Sequence, residues 1–361
     1  MIQTTINGIR ISCISAAVSN NWTSIAEIAG DSAAGDIVEK FTKNTGVKGR
    51  YDAGRYQTSA DFCFAAAQQV LAAKNLDPSQ IGVLVFVTQT ADYRLPATAC
   101  VLQHRLGLPK DCIAFDVNLG CSGFTYGINI AASMMKTSNA KKGLLLCGDT
   151  VAKERTTKYS TKHQHSTKWL MGDCGTAALL EKDEAAKDIL MVSRTDGEGC
   201  KAIIAPYGMY RNPDPPQENL NLASRMDDVA VFTFATREVP VMIEEAMNWA
   251  KTAPENYDCL VLHQANLFVI KQIARKSGFP MKKVLVSLDE FGNTSCASIP
   301  VSMVKSYGNE QGRELHAMCC GFGVGLSWST ADICISADDI LPLIHTDEFF
   351  EDGYKTIDEG K

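Results

Sequence analysis

A strand–turn–helix–strand unit occurs twice in this chain, and that repetition narrows the folds open to it more than any other feature. Gly120-Cys121-Ser122-Gly123 opens into a helical pattern containing SMMK (133–136), then an apolar strand reaching Gly148, 27 residues after Cys121. Gly292-Asn293-Thr294-Ser295 opens into a helical pattern containing SMVK (302–305), then a strand reaching Gly321, 28 residues after Asn293. The two units agree in length and order more than residue by residue, so they hint at internal duplication without fixing a fold. Short apolar runs alternate with helical patterns around them. IGVLVFVTQT (81–90) and KGLLLCGDT (142–150) read as buried strands. DFCFAAAQQVLAAKNL (61–76), with Thr58 and Ser59 as candidate caps, and VPVMIEEAMNWAKTA (239–253) read as helices. YDCLVLHQANLFVIKQIARKSG (257–278) is a strand, a sharp polar junction and a helix ending at Gly278. Such alternation implies parallel sheets covered by helices, an α/β fold.

Length and composition set the outer bounds. At 361 residues the chain has room for one large α/β unit or two halves. A formal charge of −6 argues against a broad basic surface for nucleic acid. The N-terminal MIQTTINGIRISCISAAV has no basic segment leading into a continuous apolar one, and no run of about 18 apolar residues occurs. The chain is therefore expected in the cytoplasm, neither secreted nor membrane-spanning. Its 13 cysteines include no paired CxxC zinc spacing, and many stand in apolar runs, as expected of core thiols in a reducing compartment. His163 and His165 form the only close histidine pair, without a carboxylate pattern, so no metal is expected. KERTTKYSTKHQHSTK (153–168) and APYGMYRNPDPPQENLN (205–221) read as loops. The last 26 residues, with DDI, DEFFEDG and DEGK, read as an acidic appendage outside the sheets.

Three residues stand where chemistry could occur. Cys121 lies at a strand-to-helix junction among small residues. A helix N-terminus there could convert the thiol to a thiolate and make it an acyl acceptor, although a small buried hydrophobe fits the same position. His263 ends the strand LVL in HQAN, at the sheet edge where α/β folds bind ligands, or caps its neighbours. Asn293 in EFGNTSCAS is a polar donor near a helix start, or an ordinary turn residue.

Taken together, Cys121 in GCSGFTYG, His263 in HQAN, Asn293 in GNTSCAS and the glycine-rich CGFGVGLSW (320–328) resemble the β-ketoacyl-acyl-carrier-protein synthase III family of the thiolase-like superfamily. The resemblance spans roughly residues 1–335 and implies a duplicated five-layer αβαβα fold. The halves would be 1–182, carrying the nucleophile, and 183–335, carrying the histidine and asparagine, followed by a tail at 336–361. It implies a decarboxylative Claisen condensation in which Cys121 takes an acyl group from a thioester and a malonyl thioester on acyl carrier protein then loses CO2 and attacks. His263 and Asn293 would donate hydrogen bonds to the malonyl thioester oxygen. The backbone N–H groups of Cys121 and Val324 would form an oxyanion hole. Asn266, Phe322, Gly323 and Leu95 would line the substrate path, Leu95 reaching across a homodimer. No cofactor is implied, because the substrates carry phosphopantetheine on carrier protein or coenzyme A.

The chain also departs from the family. Members that take coenzyme A primers stack adenine between a tryptophan and an arginine, whereas KFTKNTG (40–46) offers Lys40 and Asn44. Lys40, Lys158, Lys162 or Lys168 could meet a phosphate instead. The partner arginine of that stack would fall in the 153–168 stretch. Phe268 replaces a family arginine two residues after Asn266, leaving Lys271, Arg275 and Lys276 as a basic face for an acidic carrier. These departures suggest a donor other than a short acyl-CoA bound in the usual way. Thiolases carry histidine where Asn293 stands and use a second cysteine near a C-terminal CxG loop; Cys319 and Cys320 lie beside such a loop, but Asn293 and HQAN argue against that reading. Two other possibilities are an acyltransferase moving the acyl group to an alcohol or amine, and a non-catalytic carrier-binding subunit. The intact Cys121 weighs against the second.

Overall fold

In the computed structural model, which describes residues 2–30, 35–154, 169–213 and 224–353, the alternating pattern resolves into two sheets. The first runs Ile344–His345, Ile9–Val18, Cys174–Lys182, Lys142–Asp149, Ile81–Val87, Ile113–Val117. The second runs Ile2–Ile6, Ile189–Thr195, Ser327–Ser336, Glu314–Gly323, Cys259–Leu262. Without the two short edge strands, the sheets share one topology. Lys142–Asp149 is antiparallel to Cys174–Lys182 and parallel to Ile81–Val87. Glu314–Gly323 is likewise antiparallel to Ser327–Ser336 and parallel to Cys259–Leu262. Ile113–Val117 extends the first sheet in parallel, and a parallel bridge from Leu260 to Val284 stands in its place in the second. The fold is a duplicated thiolase-like one, and the repeat seen in the sequence marks equivalent positions of its two halves.

Five layers follow from which faces are apolar. Helix Gly123–Lys136 buries Phe124, Ile128, Ala131 and Met135, and helix Ser298–Tyr307 buries Ile299, Val301, Met303 and Val304. Both belong to one core that also takes residues from the two sheets. Helices buried on so many sides read as nearly continuous apolar segments. Outside the first sheet lies helix Ser59–Ala73, packing Phe62, Cys63, Ala66, Ala67 and Val70 in a separate core. Its start is fixed by Asp61, whose carboxylate accepts from the Thr58 N–H at 2.9 Å. Outside the second sheet, helices Asp228–Ala250 and Leu267–Lys276 form a third core around Val239, Met242, Ile243, Ile270 and Ile273. No helix among the described residues is long and apolar enough to cross a membrane.

Two segments cross the expected division between halves. Ile2–Ile6 pairs antiparallel with Ile189–Ser193 at the edge of the second sheet, so the chain begins in the half that it was expected to leave for later. The tail expected to stand apart from the sheets joins the first one. Ile344–His345 lies parallel to Ala17–Val18, and the amides of Leu341 and Thr346 donate to the carbonyls of Ile14 and Val18. Its acidic composition hid an aromatic anchor. Phe350 lies 4.7 Å from the Arg105 guanidinium, and its N–H donates to Asp61 at 2.9 Å. Gln57 donates to the carbonyls of Thr346 and Glu348, and the Tyr93 hydroxyl to Asp352 at 2.6 Å. Truncation after Pro342 should therefore lower the melting temperature by about 5 °C or more, as loss of a few hydrogen bonds, a short strand pairing and one half-exposed aromatic contact would. Scanning calorimetry of the two chains checks this, and an unchanged transition would make the tail structurally inert.

Candidate active site

Cys121 follows the strand Ile113–Val117 and stands two residues before helix Gly123–Lys136. The glycine-rich segment closing Glu314–Gly323 crosses directly over it. A Cβ on Gly323 would sit 2.7 Å from Cys121 Cβ and 2.9 Å from its Sγ, so any side chain there would collide with the thiol. Two hydroxyls lock the crossing. Ser122 Oγ and Ser327 Oγ are 2.7 Å apart, and Ser327 Oγ donates to the Val324 carbonyl at 2.7 Å. With that carbonyl held, the Val324 N–H and the N–H of Cys121 itself hydrogen-bond the sulfur. Cys121 remains partly accessible.

The charge state of that sulfur differs from the sequence expectation. A helix start was expected to favour the thiolate. Instead burial, aided by the Asp149 charge, pushes the Cys121 thiol up to about 12, against the pull of the two N–H groups and the Ser295 side chain. The resting group is a protonated thiol. Asp149, fully buried at the end of Lys142–Asp149, was not singled out in the sequence. Its Oδ1 accepts from Thr88 Oγ1, Gln89 N, Thr90 N and Thr90 Oγ1 at 2.7–3.1 Å, and burial pushes its own pKa up. It braces two strand ends beneath the nucleophile.

His263 follows Cys259–Leu262 and is buried, and desolvation brings its pKa down to about 3. The imidazole is neutral. Its Nδ1 lies 2.8 Å from Ser298 Oγ, and the Phe322 ring stands edge-on at 5.4 Å. Next to it, Gln264 Nε2 donates to the carbonyls of Leu262 and Leu285, and Gln264 Oε1 accepts from Ser287 N. Asn266 caps helix Leu267–Lys276, its Oδ1 accepting from Val269 N at 2.8 Å. The polar run HQAN therefore divides its labour: one side chain for the site and two for the junction that aims it.

Asn293 stands where Cys121 stands in the other half. Its Oδ1 accepts from Ser295 N at 2.9 Å, its backbone N–H donates to the Leu170 carbonyl, and its carbonyl accepts from Gly172 N. With the carboxamide oxygen engaged, the amide NH2 is the group left to donate. Ser295 joins the set. Its amide holds Asn293, its backbone hydrogen-bonds the His263 ring, and its side chain lies against Cys121 and Asp149. It does so with φ of +51°, a conformation unusual for a residue with a side chain. The structure thus gathers Cys121, His263 and Asn293 around Ser295 and sets the Val324 N–H on the Cys121 sulfur.

The remaining candidates lie further out. Leu95 is 75% exposed on its loop. Phe322 serves as packing beneath His263. Lys271, Arg275 and Lys276 are all exposed, Lys276 donating to the Thr236 carbonyl at 2.6 Å while keeping its charge. Beside them Phe268, 53% exposed, stacks on Phe232 at 5.5 Å. Lys40 and Asn44 are exposed on helix Gly35–Thr45, whose Phe41 turns inward onto Trp169. Lys158, Lys162 and Lys168 lie outside the described residues. Among the described residues, no three His, Cys, Asp or Glu side chains gather as metal ligands would.

Residues 115–197 match the family described as 3-Oxoacyl-[acyl-carrier-protein (ACP)] synthase III, and residues 247–334 match its C-terminal counterpart. A beta-ketoacyl-[acyl-carrier-protein] synthase III of Roseiflexus sp. (strain RS-1) is 34% identical over 299 residues, covering 82% of this chain and 89% of that one. The enzyme of the same name from Pasteurella multocida (strain Pm70) is 33% identical over 297 residues, covering 81% and 89%. Among solved structures, a 3-oxoacyl-(acyl-carrier protein) synthase from Burkholderia xenovorans LB400 superposes with a TM-score of 0.89 at 32% identity, covering 96% and 99%.

Two outcomes are expected of the thiol. Its alkylation by iodoacetamide should accelerate about tenfold per pH unit from about pH 7 to 9, and a flat rate across that range would mean a resting thiolate. Gly323→Ala should slow acylation of Cys121 at least about a hundredfold while leaving the melting temperature within a few degrees, read by intact-protein mass spectrometry.

Proposed function

Because the chain belongs to the β-ketoacyl-[acyl-carrier-protein] synthase III family, we propose that its decarboxylative condensation runs on Cys121, His263, Asn293 and the Val324 amide. In the first half-reaction, Cys121 Sγ attacks the carbonyl carbon of an acyl thioester. The carbonyl oxygen goes negative against the N–H groups of Cys121 and Val324, and the donor thiol departs with the proton that the Cys121 thiol gives up. In the second, a malonyl thioester enters, and its carboxylate leaves as CO2. The electron pair moves onto the thioester oxygen, where the His263 ring and the Asn293 amide donate hydrogen bonds. The resulting carbanion attacks the acyl-Cys121 carbonyl carbon, the sulfur is expelled, and it takes up a proton to close the cycle.

The observation that carries this reading is that both proposed donors are neutral. His263 is held near pKa 3 by burial, and the Asn293 oxygen is tied to Ser295, so the donors meet developing negative charge without first losing or gaining a proton. A charged imidazole would instead pair with the malonyl carboxylate and oppose its departure. The oxyanion hole is supported by the Ser122–Ser327–Val324 chain, which fixes a backbone donor beside the sulfur.

The acyl donor and the partners are part of the same proposal. With Lys40 and Asn44 in place of an aromatic and an arginine, the chain lacks the stacking surface for adenine there, which favours a carrier-protein thioester or an unusual acyl-CoA. Lys271, Arg275 and Lys276 would meet an acidic carrier beside the apolar Phe268–Phe232 pair. Leu95 would close the acyl pocket of a second copy in a homodimer. All 13 cysteines are free, in keeping with the reducing conditions of the cytoplasm.

Half-reactions separate these roles. Malonyl decarboxylation should fall at least about a hundredfold in His263→Ala or Asn293→Ala, while acylation of Cys121 stays near its wild-type rate. The decarboxylation rate should show no inflection near pH 6.5, the ordinary histidine value. Acetylation of Cys121 by micromolar acetyl-CoA as fast as by an acyl-carrier donor would contradict the proposed donor preference.

A further inference from the structure

One buried contact in the site has no part in the chemistry so far. Ser298 opens helix Ser298–Tyr307, is 1% exposed, and sets its hydroxyl 2.8 Å from His263 Nδ1. A neutral imidazole carries one proton, and its hydrogen bonds, here to the Ser298 hydroxyl and to the Ser295 backbone, decide which nitrogen holds it. A serine hydroxyl can turn to donate or to accept. If it accepts, the proton sits on Nδ1 and the lone pair of Nε2 faces the substrate, where it would repel an oxygen gaining charge. If it donates, Nε2 bears the proton and becomes a donor.

We propose that Ser298 is a positioning residue that donates to His263 Nδ1 and so holds the ring as the Nε2-protonated tautomer. The inference rests on the proposed role of His263 and adds the group that keeps it in working form. The position of Ser298 is itself well anchored. Its backbone N–H donates to the Ser295 carbonyl, and its carbonyl accepts from Ser302 Oγ at 2.6 Å. Ser302 Oγ in turn lies 2.8 Å from Ser287 Oγ, and Ser287 N donates to the side chain of Gln264, the neighbour of His263. The hydroxyl and the ring are thereby referred to the same framework, and the contact does not depend on a mobile side chain. Phe322 closes another side of the ring, at 84° to its plane.

Ser298→Ala in the full-length protein is the direct test. Malonyl decarboxylation should drop about 10–100-fold, the usual cost of losing the group that orients a working histidine, and acylation of Cys121 should stay within about twofold of wild type. In protein labelled with 15N-histidine, the His263 signals, assigned by their loss in His263→Gln, should show Nε2–H in the wild type and a shift toward Nδ1–H in Ser298→Ala. Ser298→Thr, which keeps the hydroxyl, should restore decarboxylation. A wild-type ring protonated on Nδ1 would overturn the proposal, as would equal losses in both half-reactions of Ser298→Ala. An unchanged decarboxylation rate in Ser298→Ala beside a large loss in His263→Ala would also overturn it while leaving the role of His263 intact. Normal decarboxylation in His263→Ala would remove the underlying reading and the proposal with it.

Discussion

Where the two halves touch, there is no room for a side chain on one of them. A Cβ on Gly123 would sit 2.5 Å from Val87 and 3.1 Å from Cys296 Cβ. This contact brings the start of the nucleophile helix against the turn that follows Asn293. Cys121 lies two residues before Gly123, and Ser295 one residue before Cys296, so whatever fixes the contact fixes the site. Cys296 holds its side with Sγ 3.3 Å from the Val87 carbonyl and 3.5 Å from Asp149 Oδ2. From there Ser295 reaches Asn293, His263 and the thiol. The third approach, by the glycine-rich segment over Cys121, completes the enclosure and is held by the Ser122–Ser327 bridge.

Duplication explains why such a site arises from distant sequence. Cys121 and Asn293 follow equivalent edge positions of the two sheets. His263 follows Cys259–Leu262 as Thr88 follows Ile81–Val87, and the glycine-rich segment ends its strand where Asp149 ends its own. One half therefore spends these positions on the thiol and on a buried carboxylate with its two threonines. The other spends them on the donors and on the backbone amide. The enclosure also sets the electrostatics. Burial keeps His263 neutral, which suits a donor to an enolate. It also keeps Cys121 protonated at rest, so the thiol must shed its proton during acyl transfer rather than before it.

Much of this was legible in the sequence because glycine, cysteine, histidine and asparagine sat at strand ends with little freedom to do anything else. The runs 81–90 and 142–150 lost only their polar ends to loops. The helix expected from residue 61 begins at Ser59 because Thr58 and Asp61 form its cap. What could not be read depends on contacts remote in sequence. The tail looked like a solvated acidic appendage, and only the partners Ile14, Val18, Asp61 and Arg105 make it part of the first half. The thiol looked activated from its place near a helix start, but its pKa is governed by burial, to which Gly323 and the loop around it contribute from two hundred residues away. Ser298 was in view in GNTSCAS, yet nothing local distinguishes a serine facing a histidine from one facing a carbonyl.

The central claim is that an acyl group on Cys121 places its carbonyl oxygen between two backbone amides while His263 and Asn293 stay free for the second substrate. A crystal structure of the acylated enzyme tests it most directly. The account predicts that oxygen about 2.7–3.1 Å from the nitrogens of both Cys121 and Val324, with His263 Nε2 and the Asn293 amide facing the open side of the thioester. An acyl oxygen bound instead by His263 and Asn293, with the Val324 amide turned away, would contradict it.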